Sequence, residues 1–136
     1  MEKEFGYNKD GSYYEGQIIN RKKEGKGIKY YKDGAKYDGE WKNYLREGLG
    51  KFFLNNDEYI GMWKNNRMEG KGVYFYKRGD CIGDRNEGDF NNGKMEGRGI
   101  YYKNNGDIII GDYLNDRRIG KHVIIHSNGE IKSEYY

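Results

Sequence analysis

The chain has no proline and one cysteine, Cys81, in 136 residues. A lone thiol excludes an internal disulfide and suits a reducing compartment, and Cys81 reads as a small half-buried side chain rather than a nucleophile. No apolar run approaches the ~20 residues needed to span a bilayer. The acidic, lysine-containing start after Met1 also lacks a signal-peptide core, so a cytoplasmic protein is expected. Charge of one sign is missing too. Against 25 Lys and Arg stand 22 Asp and Glu, and a net charge of +3 is too weak to argue for nucleic acid. No segment reads as a helix longer than a turn, and no G-x-x-x-x-G-K-[ST] phosphate loop occurs. No nucleophile, base and orienting residue stand apart from the packing pattern described below, so neither catalysis nor a cofactor is expected.

What is abundant is glycine and tyrosine, 22 and 15 residues, at a mean hydropathy of -1.20. Such a composition would suggest disorder if its apolar residues were scattered, but they are periodic. Glu24-Gly25-Lys26-Gly27 returns as Glu47-Gly48-Leu49-Gly50, Glu69-Gly70-Lys71-Gly72 and Glu96-Gly97-Arg98-Gly99, with Ile119-Gly120-Lys121-His122 as a degraded fifth copy. The first glycines lie 23, 22, 27 and 23 residues apart, a period that marks a repeat architecture. Each period holds two short β-branched and aromatic runs, for example Tyr37-x-Gly39-x-Trp41 and Lys51-Phe52-Phe53-Leu54. Turn signals separate them. Asn20, Asn43, Asn65, Asn92 and Asn115 stand five residues before each first glycine, and Asn tolerates the left-handed backbone of tight hairpins. The other turns are placed at Asp33-Gly34, Asn56-Asp57, Arg78-Gly79, Asn105-Gly106 and Asn128-Gly129. Two turns per period mean two strands per repeat.

The expected fold is therefore all-β, an elongated, solenoid-like single antiparallel sheet of stacked β-hairpins. At about 4.8 Å between strands each repeat advances about 10 Å, and five make a surface about 50 Å long. The whole of 1–136 reads as one array, with repeats starting near 14, 37, 59, 86 and 109, a partial repeat over 1–13 and a polar capping strand over 130–136. The 27-residue spacing leaves a surplus in 80–86, read as a bulge or longer loop, with Cys81-x-Gly83 as a second start for repeat four. The glycine between two aromatics should leave a slot for a ring of a neighbouring strand.

Tyr37-Asp38-Gly39-Glu40-Trp41 followed by Glu47-Gly48-Leu49-Gly50, at this period, resembles the MORN repeat (membrane occupation and recognition nexus). The resemblance runs from Tyr14 to Gly129, and it departs from the pattern at Asn86, at Ile109 and at His122. It implies one long sheet of stacked hairpins with a curved, aromatic-lined face. Members of this family act as scaffold, junction and cytoskeleton-associated modules, or stand beside kinase and methyltransferase domains. There they bind protein segments, or have been proposed to bind phospholipid.

Two surfaces follow. Tyr37, Trp41, Tyr59, Trp63, Phe90 and Tyr113, with Tyr14, fall on common faces; part of this serves as core, and the remainder is expected to hold a peptide or helix of a protein partner. Arg21, Lys22, Lys23, Arg117 and Arg118, with Arg46, Lys64, Arg67 and Lys94, line the Asn-turn edge and give the alternative, a peripheral membrane adaptor for anionic phospholipids or phosphoinositides. The row Glu24, Glu47, Glu69 and Glu96 beside them reads as self-neutralising. It also breaks any phosphate track for nucleic acid. Metal is not expected: His122 and His126 would lie about 13 Å apart on a strand, and Asp80, Asp84 and Asp89 lack EF-hand spacing. Unpaired end strands would allow a homodimer.

Overall fold

In the computed structural model, which describes residues 2–136, twelve strands form one open antiparallel sheet in strict sequence order. They are β1 (Glu2–Tyr7), β2 (Tyr13–Ile19), β3 (Lys22–Tyr30), β4 (Lys36–Lys42), β5 (Leu45–Leu54), β6 (Asp57–Lys64), β7 (Arg67–Phe75), β8 (Arg85–Asn91), β9 (Lys94–Tyr102), β10 (Ile108–Leu114), β11 (Arg117–Ile125) and β12 (Ile131–Tyr135). The all-β, single-sheet expectation is met. Met1 lies outside the described residues.

Five hairpins close on two-residue turns that open with the predicted asparagines. Both residues of each turn have positive φ, for example 50° and 69° at Asn43 and Tyr44, or 50° and 70° at Asn65 and Asn66. Such mirror-image turns match the twist of the strands they join. On the opposite edge one turn is displaced by a residue, and the surplus of the 27-residue spacing makes the longer loop expected. Between β5 and β6 the turn is Asn55-Asn56, at φ 50° and 74°, and Asp57 is a buried strand residue. Between β7 and β8 the surplus residues make a longer loop around a 3-10 turn at Gly79–Cys81, closed by Tyr76 N–H on Asp84 O at 3.0 Å and Gly83 N–H on Tyr76 O at 3.0 Å. The strand that follows, β8, begins at Arg85, beyond Cys81.

The two glycines of each Gly-x-Gly do different work. The first, at Gly25, Gly48, Gly70, Gly97 and Gly120, has φ between 68° and 84° and sits in a bulge where the register shifts. The second joins a row. Gly16, Gly27, Gly39, Gly50, Gly61, Gly72, Gly88, Gly99 and Gly111 pair one after another from β2 to β10. This row floors the slot. The ring that fills it belongs to the tyrosine two residues earlier: a Cβ on Gly39 would stand 2.7 Å from the Tyr37 hydroxyl and 2.5 Å from the Gly50 Cα. The same ring also covers Gly50 on the neighbouring strand, so the expected slot exists but its occupant comes from within the hairpin.

With the rings lying over glycine, their hydroxyls reach carbonyls released by the bulges. Tyr14 donates to Gln17 O at 2.8 Å, Tyr37 to Glu40 O at 2.8 Å and Tyr59 to Met62 O at 3.1 Å. Trp41 and Trp63 donate through Nε1 to Gly27 O and Gly50 O. Their rings then alternate in a near-perpendicular zigzag, Tyr14, Trp41, Tyr37, Trp63, Tyr59 and Phe90, at centroid distances of 5.0 to 5.6 Å. Edge-to-face pairs of this kind add about 0.5–1.5 kcal/mol each beyond area burial. One face is thus rolled into a core without a second layer.

Candidate functional site

The structure places all six predicted partner-binding aromatics on this inner face and buries them. Tyr37 is 0% exposed, Tyr59 1%, Trp41 4%, Phe90 and Tyr113 5% and Trp63 6%. They form a floor rather than a free surface. Burial raises the Tyr37 and Tyr59 hydroxyls well above their ordinary values, in keeping with donors that stay protonated.

The accessible part of the inner face lies above that floor. Phe52, Leu54, Met68 and Tyr74 wall a groove of about 360 Å³ over Tyr59 and Trp63. A second groove of about 340 Å³ continues over Phe90, between Met68, Tyr74 and Tyr76 on one side and Met95 and Asp116 on the other. Strand alternation puts Phe52, Leu54 and Tyr74 in line, because each lies two or four positions from a slot glycine on its own strand.

Carboxylates fix the walls, a role the sequence reading missed by assigning Asp57 to a turn. Asp57 accepts from the Tyr74 hydroxyl at 2.9 Å, the Lys77 N–H at 2.9 Å and Arg78 Nε at 3.3 Å. Burial alone would raise its carboxyl, but these donors hold it below the usual carboxylate value. Burial and this bond to Asp57 push the Tyr74 hydroxyl up to about 12. Asp84 repeats the arrangement with the Tyr101 hydroxyl at 2.6 Å and the Asn104 N–H at 2.7 Å, and Asp107 with His126 Nδ1 at 3.1 Å and the Ser127 N–H at 2.9 Å. The signal was present in the sequence: the position two before each strand's first core residue is Ser12, Ala35, Asp57, Asp84 and Asp107.

The basic edge divides. Arg21, Lys22 and Arg117 are exposed, as are Lys64 and Lys94. Lys23 is 8% exposed, donates to Asn8 Oδ1 at 3.2 Å and sits over the Tyr14 ring. Arg118 donates to the Tyr136 hydroxyl at 3.2 Å and stands over Tyr101, and Arg46 turns onto Trp63 at 4.7 Å. The glutamate row does not neutralise these cations: among the described residues no ion pair joins the two rows. Instead Glu24, Glu47 and Glu69 accept the N–H of Asn43, Asn65 and Asn92, each in the next repeat's turn.

Where the repeat pattern is broken, the core is rebuilt. Asn86 replaces the slot tyrosine of repeat four, and the Met95 Cε with the Tyr113 ring covers Gly88 and Gly99. In repeat five Ile109 replaces the tyrosine while His122 takes the place of the second glycine, and its ring fills the slot over Gly111 from the partner strand. His122 is fully buried between Tyr113 and Tyr136.

No group of three or more His, Cys, Asp or Glu among the described residues is arranged to hold a metal ion, and no helix among them is long and apolar enough to cross a membrane. A search of curated proteins finds no match. Among solved structures, the TCP domain of SAS-4 (dCPAP) from Drosophila melanogaster, in complex with a proline-rich motif of Ana2 (dSTIL), superposes with a TM-score of 0.33 at 13% identity, over 98% of this chain and 90% of that one. The MORN repeat profile matches residues 14–36, 37–57, 59–81 and 87–108. Those four matches take in the glycine row from Gly16 to Gly99, the slot tyrosines and most of the grooved face, and by them the chain belongs to the MORN repeat family, a generally noncatalytic repeat module.

Proposed function

We propose that this chain is a noncatalytic scaffold module that holds an extended or helical protein segment along its inner face. The observation that carries this reading is the open groove walled by Phe52, Leu54, Met68 and Tyr74, an apolar surface with no second layer over it. The predicted aromatics Tyr37, Trp41, Tyr59, Trp63, Phe90 and Tyr113 support that groove as its floor and the packing beneath it. The working unit in this reading is the array from Tyr14 to Gly129, with 1–13 a partial repeat and 130–136 a cap.

The test selects peptides from a random display library on the full chain and maps them by amide chemical-shift changes. Expected are peptides whose shifts cluster on β5 to β9, and whose affinity falls about ten-fold or more in Leu54→Glu and Met68→Glu. Leu54 is 38% exposed and Met68 half-buried, and neither is a member of the ring zigzag. Vesicles containing phosphoinositide supply the opposing outcome. Sedimentation with them at physiological salt, lost in Arg21→Ala with Lys22→Ala, would replace the groove by the basic edge as the working surface.

A further inference from the structure

The second residue of each hairpin's return strand faces the rings of the inner face. In repeats one, two and five it is a cation: Lys23 lies over Tyr14 at 4.9 Å, Arg46 over Phe52 and Trp63 at 5.3 and 4.7 Å, and Arg118 over Tyr101 and Tyr136 at 5.4 and 5.6 Å. In repeats three and four the same register, opposite Trp63 and Phe90, holds Met68 and Met95. These cations cover rings as far as Trp63 from one side and Tyr101 from the other, and among the described residues none of them lies over Tyr74 or Tyr76.

The groove at that place has the complementary chemistry. The Tyr74 and Tyr76 rings stand 4.9 Å apart, and Tyr76 lies 5.8 Å from Tyr101. Asn86 lines the groove at 5% exposure, and its Oδ1 is buried with no hydrogen-bond partner. An acceptor in that state costs free energy until a donor reaches it. At the rim, one oxygen of Asp116 accepts the Met95 N–H at 2.8 Å, and no ion pair engages the carboxylate among the described residues.

We propose that the groove over repeats three and four receives a lysine or arginine side chain of the bound protein segment, with its cation against the Tyr74 and Tyr76 rings and its N–H groups on Asn86 Oδ1 and the Asp116 carboxylate. This rests on the segment-binding reading and adds its polarity. The neighbouring groove is bordered by Arg46 and Arg67, and Arg118 stands on the far side, so repulsion leaves one register for the basic residue. Attraction of a cation to the ring faces and to the exposed Asp116 carboxylate at the rim supplies the affinity.

Titration of the full chain with acetyl-Gly-Arg-Gly-amide, followed by amide chemical shifts, tests this directly. Saturable shifts are expected at Tyr74 to Tyr76, Asn86 and Gly93, and the peptide with neutral citrulline in place of arginine should bind about ten-fold more weakly. Asp116→Asn should weaken the arginine peptide, and Met68→Arg, which restores the register of Arg46, should remove its binding while the chain stays folded. Equal binding of the two peptides, shifts elsewhere, or no shift would overturn the proposal. The display selection separates this from failure of the broader reading. Groove-bound peptides without basic residues would sink the cation site alone, whereas selection of no groove-bound peptide at all, with no shift from the arginine probe, would sink both.

Discussion

At the scale of single residues, the array depends on what glycine omits. A Cβ on Gly39 would stand 2.5 Å from the Gly50 Cα and 2.8 Å from Leu49 O, and on Gly61 2.6 Å from both the Gly72 Cα and Lys71 O. Backbone cannot move aside as a flexible side chain can. Gly39→Val and Gly61→Val are therefore expected to lose about 3 kcal/mol or more in denaturant melts. Gly6→Ala, whose Cβ would meet nothing within 4 Å, should stay within about 0.5 kcal/mol of the parent. Undiminished stability of the valine variants would remove the slot from the account. The need for glycine here was legible in the aromatic-x-Gly-x-aromatic spacing. Which ring would fill the slot was not, because strand alternation gives the face a side chain leaves from but not how far it leans along its own strand. The same limit hid the rebuilding at Asn86, Ile109 and His122, where Met95 and His122 supply from one strand the bulk missing on another.

At the scale of the element, carboxylates tie successive turns along both edges of the sheet, Glu24, Glu47 and Glu69 on the Asn-turn side and Asp57, Asp84 and Asp107 on the other. Hairpin positions could be read from Asn-turn spacing. The aspartates' position two before a core residue was a signal too, but the partners of these ties were not legible, since they are backbone N–H groups 18 to 23 residues away. Asp57 offers the sharpest test. Its carboxyl is held below the ordinary value of 3.8 in the fold, so the unfolded chain binds its proton more readily. The stabilisation is complete above the unfolded value and is lost as pH falls through the folded one. Asp57→Asn is expected to cost about 1–2 kcal/mol at pH 7 and to differ little from the parent once pH has fallen through the lowered folded value and the carboxyl is protonated. Melts of both proteins from pH 7 downward check this. A gap that persists unchanged into acid would mean that shape rather than charge holds the Tyr74 and Lys77 contacts.

At the scale of the whole molecule, strict sequence order makes stability local, because every hydrogen-bonded strand pair is also a neighbour in sequence. Such arrays behave as a chain of coupled units rather than as one core. The ring zigzag sets how far coupling reaches. Trp63 touches Tyr37, Phe52 and Tyr59, and its Nε1 bonds Gly50 O, so it joins repeats two and three. Tyr113 meets His122 in its own hairpin and covers Gly99 one strand away, and its hydroxyl is buried without a partner. Trp63→Ala should therefore cost about 3–5 kcal/mol and speed amide hydrogen exchange on both sides, from β3 to β8. Tyr113→Ala should open only β9 to β12, with β4 to β6 exchanging as in the parent. Equal acceleration along the whole sheet in both variants would show a single cooperative unit, and the grooves over repeats two to four would then open together with the chain's ends. A graded result would leave those grooves standing on the most stable part of the array, where a bound segment meets walls already in place and less ordering is lost on binding.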